Sequence, residues 1–152
     1  MNKIATAGAV ALALATGVAG LGGAALAAGE THMLAVHVDE NDPAVMNLAL
    51  NNIENVASYY AEQGDTVQIE LVAYGPGLNM FIVGQSPVAD RIETMALALE
   101  GQLSFSACGN TLAKMTQKLG AEPVLLEEAH VVPAGVIRLM ELQGEGYAYL
   151  KP

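Results

Sequence analysis

The apolar positions of this chain fall into two alternating patterns, short strand-like runs and longer stretches at helical spacing. Met33 to Val38 is a short apolar run of the kind a buried strand carries. It stops at Asp39-Glu40-Asn41-Asp42-Pro43, where Asp42 as N-cap and Pro43 in the first turn predict a helix start. Met46, Ala49, Leu50, Ile53, Val56, Ala57 and Tyr60 then recur on one helical face up to Gln63-Gly64, a left-handed stop. Val67, Ile69 and Leu71 alternate with polar residues and run into Val72-Ala73-Tyr74, a second strand that Gly75-Pro76-Gly77 breaks. Leu78 to Val83 reads as a short helical turn, and Pro87 opens a helix from Val88 to about Glu100. Leu103 to Ala107 is a third strand that leads directly into Cys108, and Gly109-Asn110-Thr111 opens a helix that stops at Gly120. Pro123 to Leu126 and His130 to Val132 are short apolar pieces. Pro133 begins a helix through about Gln143, and Tyr147 to Leu150 is a last short strand.

Such alternation predicts an α/β domain with a mostly parallel sheet and helices on both faces. Sites in sheets of this kind form at the carboxyl ends of the strands. Three segments meet that rule: His37 to Asp42, Tyr74 to Leu78, and Ala107 to Thr111.

The first 28 residues follow a different logic. Met1-Asn2-Lys3 is a short positive start, Ile4 to Ala28 is small and apolar, and Ala25-Leu26-Ala27-Ala28 precedes polar Gly29-Glu30. This is the pattern of a secretory signal peptide, with cleavage after Ala27 or Ala28 and a single domain over residues 29–152. The expected location is periplasmic or secreted, with no membrane attachment after the leader is removed. Residues 29–152 hold 5 basic and 16 acidic side chains, a net charge of −11. That field repels phosphate backbones and anionic lipid, so nucleic-acid and membrane-surface binding are disfavoured.

A single cysteine excludes a disulfide within one chain and a dithiol redox cycle. Export implies an oxidising compartment, where a lone thiol is inert and buried, paired between chains, or kept for reaction. Cys108 sits where a strand gives way to a helix, and backbone N–H groups there favour thiolate over thiol. Gly109 is read as leaving access to the sulfur. Asn110 and Thr111 are read as hydrogen-bonding groups for a bound anion or persulfide. Tyr74-Gly75-Pro76-Gly77 is a candidate wall of a small anion or sulfur-compound pocket, although its spacing matches no nucleotide-binding loop. Asn47, Asn51 and Asn55 form a polar stripe on the first helix, either a solvated face or the wall of an interface or pocket, with Asn51 the candidate contact. His37 and His130 lie in apolar runs where a core role is the commoner one. Either of them, or Arg138, is a candidate support for the thiolate. His32 and His37 are expected on opposite sides of one strand. No metal-ligand spacing or cofactor fingerprint appears, and no nucleophile elbow or carboxylate pair supports hydrolase chemistry.

Taken together, several blocks resemble the DsrE/DsrF-like sulfur-relay family, and its exported branch in particular. They are Val38 to Pro43, Met46 to Asn52, Val72 to Gly77, Phe105-Ser106-Ala107-Cys108-Gly109-Asn110-Thr111, and Val131 to Val136. The resemblance spans nearly all of the chain after the leader. It implies a flavodoxin-like fold, a homo-oligomer such as a trimer or hexamer, and a cysteine in the place of Cys108 that accepts and donates persulfide sulfur. Its partners would be sulfur donor and acceptor proteins or small thiols, with no cofactor. Two other functions stay open. One is an oligomeric module that binds a small anion or a protein, with Cys108 structural. The other is a redox sensor that pairs Cys108 between chains.

Overall fold

The computed structural model describes residues 29–152. The expected leader, residues 1–28, lies outside the described residues. The domain is α/β with a flavodoxin-like layering. Five strands, β1 (Thr31–Val38), β2 (Thr66–Ala73), β3 (Leu103–Cys108), β4 (Ala129–Val132) and β5 (Ala148–Leu150), form one parallel sheet in the order β4-β3-β2-β1-β5. The helices are α1 (Pro43–Gln63), α2 (Ala89–Ala98), α3 (Gly109–Leu119) and α4 (Gly135–Gly144). A 3₁₀ segment spans Gly75–Phe81. No helix among the described residues is long and apolar enough to cross a membrane.

The chain winds outward from β1 to β4 and then returns to place β5 on the far side of β1. The reversal therefore falls between β1 and β5, and the carboxyl ends of β1, β2 and β3 gather beside it.

The two faces of the sheet are unequally covered. Val36, Val38, Val67, Ile69, Leu71, Ala73, Phe105 and Ala107 point to the face that packs against α1, α2, α3 and the 3₁₀ segment. Phe81 meets Phe105 edge to face there, with ring centroids 5.8 Å apart. Each large side chain buried on this face contributes about 1.5–3 kcal/mol, so this side dominates the core. On the opposite face Ala35 and Val72 of the sheet meet Leu139 and Leu142 of α4 in a small cluster. Three polar residues, His37, Glu70 and Ser106, are buried on that face.

Local signals account for most element ends. Asp42 caps α1 by accepting from the Ala44 N–H at 2.7 Å, and Gly64 closes it in the left-handed region at φ 80°. Gly120 closes α3 in the same way at φ 76°. Some boundaries move. β1 begins at Thr31 rather than Met33, because the Thr31 and Thr66 hydroxyls pair at 2.8 Å and extend the ladder. α4 begins at Gly135 rather than Pro133, since the Pro133 carbonyl accepts from the Asn110 N–H and acts as a connector. Pro123 to Leu126 forms no ladder strand; it pairs with Phe81 to Val83 through a Leu125–Ile82 bridge, and Leu125 and Leu126 pack against the core.

Gly77 lets the 3₁₀ segment lie on the end of β1. A Cβ there would collide with the Val38 carbonyl. Gly77→Ala is expected to lower stability by about 3 kcal/mol in urea unfolding, and an unchanged midpoint would contradict this packing.

Candidate functional site

Four loops meet at the carboxyl end of the sheet. They follow β1, β2, β3 and β4, and Cys108 stands among them as the last residue of β3 and the N-cap of α3. The residue is 5% exposed. Burial pushes the thiol up, and the nearby Thr111 hydroxyl and backbone N–H groups of Gly135, Thr111 and Asn110 more than offset it, although Cys108 closes no side-chain cap hydrogen bond on α3. The net result is a thiol below its ordinary value. Two helix N-termini, those of α3 and α4, therefore face one sulfur.

Each neighbour has a definite job. The Thr111 hydroxyl accepts from the Gly75 N–H at 2.9 Å, which leaves its own proton for the sulfur and ties the Tyr74–Gly77 loop to Cys108. Gly75 needs its left-handed φ of 54° to make that turn. A Cβ on Gly135 would lie 2.9 Å from the Tyr74 ring and 3.3 Å from the Cys108 Cβ, so only glycine brings this N–H so close. Gly109 does not open a path to the sulfur, as its lack of a side chain suggests. A Cβ on it would sit 3.0 Å from the Val132 carbonyl, so its bareness serves packing against β4.

Tyr74 stacks on His37 with ring centroids 4.5 Å apart, and its phenol is raised by burial and stays protonated. His37 is buried at the reversal between β1 and β5. Its Nδ1 bonds the Tyr149 hydroxyl at 2.7 Å, and burial lowers its pKa, so the ring is neutral. Neither its Nε2 nor the Asp39 Oδ1 has a hydrogen-bond partner. Asp39 Oδ2 receives Lys151 Nζ at 2.8 Å.

The histidines and Arg138 do not support the thiolate directly. Arg138 grips Glu70 with two bonds, Nε to Oε1 and Nη2 to Oε2, both 2.8 Å. Ser106 donates to Glu70 Oε1, and His130 Nε2 lies 2.9 Å from the Ser106 oxygen. Burial pushes the Glu70 carboxyl up, and the Arg138 and Ser106 hydrogen bonds outweigh it and hold it below the ordinary carboxylate value. The chain of Glu70, Ser106 and His130 is no hydrolytic triad: Ser106 is fully buried and its hydroxyl serves a carboxylate. Its effect is mechanical. Arg138 lies one turn after Gly135, so the clamp fixes the start of α4 over Cys108.

Sequence reasoning did not single out Gly135, Glu70 or Ser106. The Pro-Ala-Gly opening of α4 was the available signal for the first, but nothing in the alternation of β2 marked Glu70 as an internal anchor. Asn51 is not brought into the site. It is exposed on α1, more than two turns from the end facing Cys108. Within the same stripe, Asn47 bonds Pro43 O and Arg91.

No family model and no curated protein matches the chain. Among solved structures, that of a protein of unknown function, MTH1491 from Methanobacterium thermoautotrophicum, superposes with a TM-score of 0.66 at 30% identity, over 80% of this chain and 99% of that one. The chain belongs to the same family as that protein. The family membership brings a fold and no activity, so the chemistry rests on the site itself.

Two outcomes follow. Thr111→Val removes a donor to the anionic sulfur, so the pH profile of Cys108 alkylation should move to higher pH; an unmoved profile would mean the hydroxyl does not serve the thiolate. Arg138→Ala strands a buried carboxylate and should cost about 3 kcal/mol in unfolding experiments, with the alkylation profile again moving to higher pH as α4 loosens.

Proposed function

We propose that this chain is an exported sulfur carrier of the DsrE-like type, with sulfane sulfur held as a persulfide on Cys108. The observation that carries the reading is the place of a lone cysteine at the N-terminus of α3 and directly against the N-terminus of α4, with the Thr111 hydroxyl beside it. A merely structural cysteine has no need of such donors, because a buried neutral thiol packs as a small hydrophobe. The same donors that favour a thiolate favour a persulfide anion, whose charge lies one atom further out.

The chemistry needs no cofactor. The Cys108 thiolate attacks the outer sulfur of a donor persulfide, R–S–SH. The new S–S bond forms as the old one breaks, R–S⁻ leaves with the electron pair, and the proton stays on the transferred sulfur. Delivery to an acceptor thiolate is the same exchange in reverse. A carrier of this kind passes sulfur between a donor and an acceptor protein or small thiol without having to turn over as an enzyme.

A homo-oligomer belongs to this proposal. Val136, Ile137 and Met140 are all exposed on α4, which covers the thinly packed side of the sheet. An apolar patch of this kind on a charged protein marks an interface, and burial there would brace the helix that supplies Gly135.

Intact mass tests the carrier directly. After treatment with inorganic polysulfide, the chain is expected to gain whole sulfur atoms that reductant removes, and Cys108→Ser is expected to gain none. A native protein that takes up no sulfur sinks the proposal. Sedimentation should report an oligomer that Met140→Glu breaks down, and a monomeric wild type would remove the interface.

A further inference from the structure

Positive charge is scarce in this chain, and the unpaired share of it is concentrated. Of the five basic side chains in residues 29–152, three are committed: Arg91 to Glu54, Arg138 to Glu70 and Lys151 to Asp39. Among the described residues, Lys114 and Lys118 make no ion pair. Both line one cleft of about 310 Å³, together with Thr111, Asn41, Asn79 and Gly75. Thr111, Lys114 and Lys118 follow helical spacing, so they share one face of α3. That face begins at the N-terminal end of the helix, where the dipole also favours an anion.

The cleft adjoins the cysteine through a shared wall. The Thr111 hydroxyl lies beside Cys108 and accepts from the Gly75 N–H, and both Thr111 and Gly75 line the cleft. Of the carboxylates flanking Asn41, Asp42 engages the Ala44 N–H and Asp39 engages Lys151, while Glu40 is exposed and makes no ion pair. Two ammonium groups, the Asn41 side chain and the start of α3 border one small space on a chain whose charge after residue 28 is −11, with the Asn79 amide donating to Gln85 O. That overall charge repels a polyanion or a large acidic surface, whereas a compact dianion meets only the local field.

We infer that this cleft binds a small sulfur oxyanion with two negative charges, of the thiosulfate class, and holds it against Thr111 beside Cys108. The sulfur in this ligand rests on the carrier reading; the charge and size rest on the lysines and the cleft.

The test is calorimetric titration of thiosulfate into the purified chain, with sulfate as competitor. Wild type and Arg91→Gln, which removes a charge outside the cleft, are expected to bind alike. The double variant Lys114→Gln/Lys118→Gln is expected to bind about tenfold or more weakly. Absence of binding to wild type, or equal binding by the double variant, overturns the inference. Loading of Cys108 by polysulfide, read by mass on the same proteins, separates the two readings. Thiosulfate bound at the lysines with no sulfur gained by Cys108 sustains the cleft and defeats the carrier. Sulfur gained with no thiosulfate bound does the reverse.

Discussion

The geometry of the site depends on one carboxylate, that of Glu70, held inside the thinly covered face of the sheet. It joins β2 to α4 through Arg138, to β3 through Ser106, and to β4 through Ser106 and His130. A buried ion pair of this kind adds little net stability over a well-packed apolar core, although breaking it is costly. Its contribution is directional. Only two buried sheet residues, Ala35 and Val72, meet Leu139 and Leu142 of α4, and such a small cluster leaves a helix free to slide, whereas a two-pronged guanidinium grip does not. The start of α4 is thereby fixed where the Gly135 N–H reaches the cysteine.

From that anchor the electrostatics follow. Removing a thiolate from water is unfavourable, and a lone helix N-terminus offsets only about 0.3–1 kcal/mol at an exposed site. A hydrogen bond to a charged group contributes about 1.5–3 kcal/mol. Donor groups at the starts of two helices together outweigh the desolvation of this nearly buried sulfur. The arrangement needs glycine at 135, where any side chain would press on Tyr74 and Cys108, and glycine at 75, where the turn toward Thr111 takes a positive φ. These two glycines and Thr111 bind three loops into one site, and the lysine cleft opens on the far side of the same threonine.

Much of this was legible in the sequence because the signals were local. Asp42-Pro43, Gly64 and Gly120 mark helix ends by their own backbone chemistry, and the period of the apolar residues separates strands from helices. The position of Cys108 at a strand-to-helix junction could be read in the same way, as could the loop at Tyr74. The parts that were not legible depend on long-range pairing. Glu70 looks like one more solvent-facing residue in an alternating strand until the winding order places α4 over it. Gly109 looked like an opening because a missing side chain has the same appearance in a sequence whether it admits a ligand or a neighbouring strand. Asn51 shared a stripe with residues near the site end of α1, but helix length carried it away.

The account stands or falls on whether Cys108 ionises more readily than a free cysteine. The direct measurement is an NMR titration of the wild-type protein labelled with ¹³C at the cysteine Cβ. The account predicts a single transition at a pH below the value of about 8.5 for a free cysteine. A transition at or above that value would make Cys108 an ordinary buried thiol and contradict the account.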